Sequence, residues 1–374
     1  MIYLLNETQT IGFYCIIFFY SILNMYIAVK LKKNNNKRYY FFLFFSYFPL
    51  WLLIIFRNSS VGTDYISVGE NYTRIINNSI NIKKYNWFGN GLNIICKILG
   101  TLFGSNAFVF YFFIGTLTII FLYKFLLNNC EYPTLSLTLF IVLGMYLQSF
   151  NQSRQILALV IILYASKYIK EKNIIKYVIC ILIAFIFHQS AIIFIPCYLL
   201  SKCKEKKQMK IIYVCMFLLI IFGSTLFEKI ISTTKYAIYF TTQYNISNVK
   251  TSYLNLIVRI ILMFFCLMFY SENKKNEIYN FSYHMIIICT LLQIVTLKYY
   301  FIARLTTYFF AFYIILLPKC IDELLKKIKS KPKKITCFLA IVIFMCSYFY
   351  VYYKAPSGAL NSGYSKYGFI WNKK

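Results

Sequence analysis

The chain has 374 residues, of which 60% are hydrophobic, 21% aromatic and only 14% charged, and its mean hydropathy is +0.62. Soluble domains sit nearer about 45–50% apolar and about 25% charged, so the composition excludes a soluble globular enzyme and describes an all-α polytopic integral membrane protein. The formal charge of +29 does not imply nucleic acid as a partner, because the cations lie in short runs between apolar segments, where positive-inside anchoring accounts for them.

The first residues, Met1 to Thr8, carry no basic run and no small-residue cleavage site, so no signal peptide is expected. A hydrocarbon core about 30 Å thick needs roughly 20 apolar residues per helix. Apolar segments fall near 11–29, 39–56, 106–127, 134–150, 153–169, 174–187, 190–200, 211–230, 253–270, 278–297, 305–318 and 335–353. The connections 30–38, 124–131, 167–176, 202–210, 271–277 and 319–334 hold 24 of the 40 lysines and arginines. They are alternate connections only if 174–200 is a bent hairpin of two short segments with His188 at its tip, which is what the charge rule prefers.

About twelve transmembrane or half-membrane helices then form a single bundle over 1–374, with both the N-terminus and the C-terminus extracytoplasmic. Residues 57–105 become a long extracytoplasmic loop, in which the mildly apolar 90–104 is expected along the outer interface. Residues 354–374 become an extracytoplasmic tail. The twelve cysteines are scattered without a C-x-x-C pair and read as small buried hydrophobes, so neither a metal site nor a disulfide framework is expected.

This topology gathers the informative polar residues on the outer side. Arg57 follows the second span and opens the run Asn58-Ser59-Ser60-Val61-Gly62-Thr63-Asp64-Tyr65. Gln152, Arg154 and Gln155 begin the fifth span. Arg259 lies one to two turns below the outer end of its span, and Arg304 stands at the start of another. Asn151, Arg154, Gln155 and Ala158 fall on one helical stripe, as do Arg304, Thr307, Tyr308 and Ala311, and as do Ser252, Asn255 and Arg259. Ala184, His188 and Ala191 put the histidine on a small-residue face where another helix can approach.

An arginine inside the bilayer is costly unless paired or hydrated, and so marks a functional candidate. Four of them from different helices suit a phosphorylated anion, since guanidinium presents a planar fork to phosphate oxygens. Plainer readings stand beside this one. Arg57 and Arg304 are also where snorkelling anchors occur, Gly62 suits a turn with φ > 0, and Asp64 suits a turn or cap.

Taken together, Arg57-Asn58-Ser59-Ser60-Val61-Gly62-Thr63-Asp64-Tyr65, Asn151-Gln152-Ser153-Arg154-Gln155 through Ala158, and Phe187-His188-Gln189-Ser190-Ala191 resemble the EpsG-type family of Wzy-like polysaccharide polymerases of bacterial capsule, exopolysaccharide and O-antigen. The likeness covers most of the chain. It departs at Val68, where many relatives carry an aromatic, and is loose over Arg304 to Tyr308.

The resemblance implies a multi-pass protein of the bacterial cytoplasmic membrane that joins undecaprenyl-diphosphate-linked oligosaccharide units at the outer face, with lipid diphosphate as the leaving group. Arg57, Arg154, Arg259 and Arg304 would hold the diphosphate. His188 or Asp64 would take the proton of the acceptor hydroxyl, with His188 favoured for its near-neutral pKa. Tyr65, Gln152, Gln155 and Tyr308 would contact polar and sugar groups, and Tyr72 and Trp87 are further stacking candidates. Neither a metal nor another cofactor is expected. The partners would be lipid-linked oligosaccharide, membrane lipid and polysaccharide-assembly proteins. The competing readings are a lipid-linked oligosaccharide transporter (flippase) and a single-addition membrane glycosyltransferase or ligase.

Overall fold

In hydrocarbon every backbone polar group must find its partner within the segment, so a chain this apolar folds as helices. The computed structural model describes residues 4–77, 88–203, 213–214, 253–297, 302–354 and 363–371, and among these the regular structure is helical. Four helices are long and apolar enough to cross a membrane: Glu7–Lys33, Ala107–Asn129, Glu277–Thr296 and Lys331–Tyr353. Shorter apolar helices cover Tyr39–Ile55, Asn90–Phe103, Pro133–Val142, Ile174–Phe187 and Tyr253–Leu267. The chain is a helical membrane protein that divides into two compact units.

The first unit comprises residues 1–167, 175–192 and 324–374. Helix α1 (Glu7–Lys33) starts from a capping box between Asn6 and Gln9 and ends with Lys30, Lys32 and Lys33 in its last turn, both favourable to the helix termini. It packs along α2 (Tyr39–Ile55). Two helices then lie within the long loop: α3 (Tyr65–Ile76) and α4 (Asn90–Phe103). Helix α4 buries Leu92, Asn93, Cys96 and Leu99 and leaves Ile94, Ile98, Leu102 and Phe103 exposed, the two-faced pattern of a helix lying between protein and an apolar medium. Helix α5 (Ala107–Asn129), capped by the Asn106 side chain, packs against α2 and α8 (Ser153–Ala165). Within α8 only Arg154 and Tyr164 are not buried, so α8 is the core of this unit.

Sequence periodicity joins 134–150 into one segment, but the structure breaks it into α6 (Pro133–Val142) and the single turn α7 (Met145–Gln148). The break is Gly144, at φ +80. A Cβ there would meet the Tyr352 ring at 2.4–2.7 Å, so glycine is required twice, for its dihedral and for the close approach. Likewise 153–169 becomes α8 followed by the turn α9 (Lys167–Lys170). The last helix, α17 (Lys331–Lys354), has an apolar window with no buried residue, yet its end is held: Tyr352 and Tyr353 donate to the carbonyls of Gly144 and Ser365 at 3.4 and 3.3 Å.

Helix α10 (Ile174–Phe187) ends at the expected place, and His188 follows it. Beyond it the chain does not form a second regular span-like segment over 190–200. It continues as a 3-10 turn at Gln189–Ile193, one α-turn, α11 (Phe194–Cys197), and a further 3-10 turn at Tyr198–Lys202. The apolar segment at 211–230, apart from residues 213–214, lies outside the described residues, as do Trp87 and Ser252.

The second unit comprises residues 168–174 and 193–323. It contains α12 (Tyr253–Leu267), α13 (Tyr270–Asn273), α14 (Glu277–Thr296), α15 (Ala303–Phe310) and most of α16 (Tyr313–Lys327). The expected segment 305–318 is thus two helices. Helix α14 packs against α12 and α15 and buries polar side chains to finish a neighbouring helix end. Asn280 Nδ2 donates to the Ser201 and Cys203 carbonyls at 3.2 Å, and His284 Nε2 stands 2.9 Å from the Cys203 carbonyl. Helix C-terminal carbonyls otherwise lack partners.

Candidate functional site

The site begins where α2 stops. Arg57 folds back so that Nη1 donates to the Ile54 carbonyl and Nη2 to the Phe150 carbonyl at 3.2 Å, ending one helix and fastening it to the turn before α8. Its side chain is fully buried. The rings of Tyr111, Tyr65 and Phe150 surround the guanidinium with centroids at 4.7, 5.0 and 5.5 Å, which replaces water by ring faces that attract a cation. Tyr65 and Tyr111 stack at 4.1 Å, and Tyr111 OH donates to the Tyr65 carbonyl at 2.7 Å. Burial pulls the Arg57 pKa below its ordinary value, with Tyr111 and Tyr65 acting the other way. Burial raises the Tyr65 phenol, opposed by the Arg57 charge.

The turn that follows carries Gly62 at φ +97, where a Cβ would lie 2.6 Å from Asn151 Oδ1 and 2.8 Å from the Phe150 carbonyl oxygen. The positive φ expected of a turn glycine is present, and the close approach adds a second reason for glycine. Through it the Arg57–Tyr65 segment touches the Asn151–Gln155 segment. Asp64 is half-buried at the start of α3, and its side chain makes no cap; Thr63 Oγ1 is 3.5 Å from its Oδ1.

Arg154 occupies the first turn of α8, half-buried, with its guanidinium 4.5 Å from the centre of the Phe88 ring. Phe88 in turn stacks on Phe110 at 5.6 Å. The next residue, Gly89, has φ +85, and a Cβ there would meet Gln189 Nε2 at 2.7 Å. One dipeptide, Phe88-Gly89, therefore contacts Arg154 through its first residue and the His188 segment through its second. His188 is half-buried, and its Nδ1 stands 2.7 Å from Ser190 Oγ, which orients the ring. Gln155 is buried. Gln148 and Gln152 each hold a buried Oε1 with no hydrogen-bond partner among the described residues.

The remaining expected residues belong to the second unit. Arg259 is half-buried, donating from Nη1 to Cys289 Sγ at 3.4 Å and lying 4.8 Å from the centre of the Phe310 ring. Arg304 is exposed on the first turn of α15, and Tyr308 on the same helix is buried with its ring 5.9 Å from Phe194. Among the described residues no group of three or more His, Cys, Asp and Glu side chains is placed to hold a metal ion. An open groove of about 400 Å³ runs between α3 and the start of α5, past Ser59, Tyr65, Glu70, Arg74 and Ala107. It shares Ser59 and Tyr65 with the Arg57–Tyr65 segment and no other residue placed above.

Three contributors escape a reading by motif: Phe88, Tyr111 and Tyr367, whose hydroxyl donates to the Leu53 carbonyl at 3.1 Å. In a chain with 38 phenylalanines and 36 tyrosines no single ring stands out, and only the basic residues they face could have pointed to them.

No curated protein and no solved structure matches the chain. Residues 40–369 match the model of the EpsG family, a stretch that includes all three ordered motifs and also Arg304 to Tyr308, where the motif-level likeness is loose. The chain therefore belongs to the EpsG family, whose members are Wzy-like polysaccharide polymerases.

Proposed function

We propose that this polysaccharide polymerase works at the outer face of the bacterial cytoplasmic membrane on oligosaccharide units carried by undecaprenyl diphosphate. The observation that carries the reading is Arg154. It is the one charged side chain of α8, a helix buried apart from Tyr164 at its far end, and it is half-open beside the dipeptide that also contacts the His188 segment. In the reaction, a hydroxyl oxygen of the acceptor unit attacks the anomeric carbon of the growing chain. The bond from that carbon to the diphosphate oxygen breaks, and lipid diphosphate leaves with the bonding electron pair.

Arg154 holds the diphosphate and stabilises the charge that develops on the leaving oxygen. Fixed donors aimed at developing charge are often the largest single contribution to such catalysis. Arg259 and Arg304 are further cations for the lipid-linked substrate. His188 takes the acceptor proton, oriented by Ser190, with Asp64 as the alternative base. Gln152 offers an acceptor oxygen without a partner, suited to a sugar hydroxyl, while Gln155, Tyr65 and Tyr308 shape the surroundings. Arg57 has its Nη groups engaged by carbonyls and its charge enclosed by rings, so its part is to position the loop, not to grip the diphosphate.

The test is deletion of the gene followed by complementation with wild-type chain or Arg154→Ala, reading lipid-linked intermediates and polymer on a gel. Wild type should restore a ladder, and the variant, present in the membrane at normal amount, should leave a single lipid-linked unit on the outer leaflet. A ladder of normal length from Arg154→Ala would sink the anion-holding role. A unit trapped on the inner leaflet after deletion would mean a transporter instead, and a product with one added unit a ligase.

A further inference from the structure

The residues around Arg57 are held by a part of the chain far away in sequence. Residues 363–371 pass across the turn between α2 and α3 and pair with it main chain to main chain. Arg57 and Phe369 form an antiparallel bridge. Asn58 N donates to the Gly368 carbonyl at 2.7 Å, Ile370 N to the Phe56 carbonyl at 2.7 Å, and Gly62 N to the Gly363 carbonyl at 2.9 Å. Asn58 Nδ2 adds a bond to the Phe369 carbonyl at 3.3 Å. The same residues reach the start of α1, where Tyr367 N donates to Thr10 Oγ1 at 2.9 Å, Leu5 N to the Tyr367 carbonyl at 2.9 Å, and Tyr14 OH to the Tyr364 carbonyl at 2.9 Å.

The fit is close. Tyr364 and Tyr367 are buried, and Tyr367 ends on the Leu53 carbonyl, one turn before Arg57. Gly363 sits at φ +78, and a Cβ there would stand 3.1 Å from Thr63 N and 3.3 Å from Gly62. Two glycines thus meet backbone to backbone, each in a conformation other residues avoid. A loop pinned only by its own turn would be free to fray. Here both edges of the turn, at Asn58 and at Gly62, are closed from outside.

We propose that residues 363–371 are a positioning strap for the proposed polymerase site: they fix the Arg57–Tyr65 turn, through Gly62 the Asn151 turn against it, and so the direction in which Arg154 faces its ligand. Tyr367 and Gly363 are the positioning residues. This rests on the polymerase reading for its consequence in activity, and on the strap contacts for its consequence in structure.

The experiment uses full-length protein in detergent, comparing wild type with Gly363→Ala, Tyr367→Phe and Tyr367→Ala by hydrogen exchange, alongside polymer formed in complemented cells. Exchange over residues 56–65 should rise about tenfold or more in Gly363→Ala and Tyr367→Ala, the scale of losing one or two backbone bonds, while α5 and α8 keep their protection. Polymer from those two should be short or absent at normal membrane abundance, and Tyr367→Phe, which keeps the ring, should recover most of it. Unchanged exchange over 56–65 would overturn the strap, whatever the polymer does. Faster exchange with polymer of normal length would overturn its positioning role. The polymerase reading is judged separately by Arg154→Ala, whose phenotype does not depend on protection of the turn.

Discussion

Arg57 and Arg154 belong to the same unit, yet their side chains stand in contrasting surroundings. Arg57 gives its donors to the Ile54 and Phe150 carbonyls and is enclosed by three rings. Arg154 lies 4.5 Å from the centre of the Phe88 ring and stays half-open. Two arginines from adjacent family motifs look equivalent on paper. Their surroundings differ: one is a joint between helices, and the other stays half-open on the first turn of α8.

The sharpest way to separate them is Arg154→Ala, which should slow polymer formation by on the order of 10²–10³-fold, as loss of a transition-state donor does, without lowering the amount of folded protein; size-exclusion profiles and polymer gels measure both. Arg57→Ala should do the reverse in kind. It removes two charge-assisted bonds from a buried position, a loss of about 3 kcal/mol or more, seen as a lower melting temperature in detergent and less protein in the membrane. If Arg57→Ala protein is as stable as wild type, the contrast collapses. Tyr111→Phe should keep the ring beside Arg57 and lose only the bond to the Tyr65 carbonyl, costing about 1 kcal/mol in the same melting measurement. Glu70→Gln is the smallest change. Its partner Arg74 is 3.1 Å away, but both side chains are more than half exposed, so stability should shift by no more than about 0.5 kcal/mol.

Apolar runs and basic loops located several helices closely: the sequence reading of 174–187 coincides with α10, 39–56 runs one residue past the end of α2, and 278–297 is displaced by one residue from α14. Breaks within apolar runs were not legible, because hydropathy is blind to dihedral angles. Gly144 reads as one more small residue inside 134–150 until Tyr352 is seen lying against it. Helix α3 was also missed, since five buried residues spread over twelve do not make an apolar run. Of the ordered motifs, the structure brings the Asn151 turn against Gly62, and it sets Gln189 against Gly89. What they could not convey was which arginine is enclosed. That depends on Tyr111 and Phe150, whose positions follow from helix packing and from no spacing in the sequence. The strap was invisible for a related reason: a short aromatic segment carries neither helical nor strand period, and its meaning lies in contacts with residues more than three hundred positions earlier.

That separation has a consequence for how the protein is made. Tyr367 and Leu53 are 314 residues apart, and Tyr364 and Tyr14 are 350 apart. At about 5–20 residues per second, ribosomes need roughly 15–60 s to travel from Leu53 to Tyr367. Throughout that interval the Arg57 turn has been synthesised but lacks its closure, and it acquires its bonds to Asn58 and Gly62 only as residues 363–371 arrive. A chain broken off between Arg304 and Gly363 would carry every arginine discussed here and still present an unfinished turn. Closure of the Arg57 turn is therefore a late event in making the protein, because Tyr367 is made 314 residues after the Leu53 carbonyl it bonds.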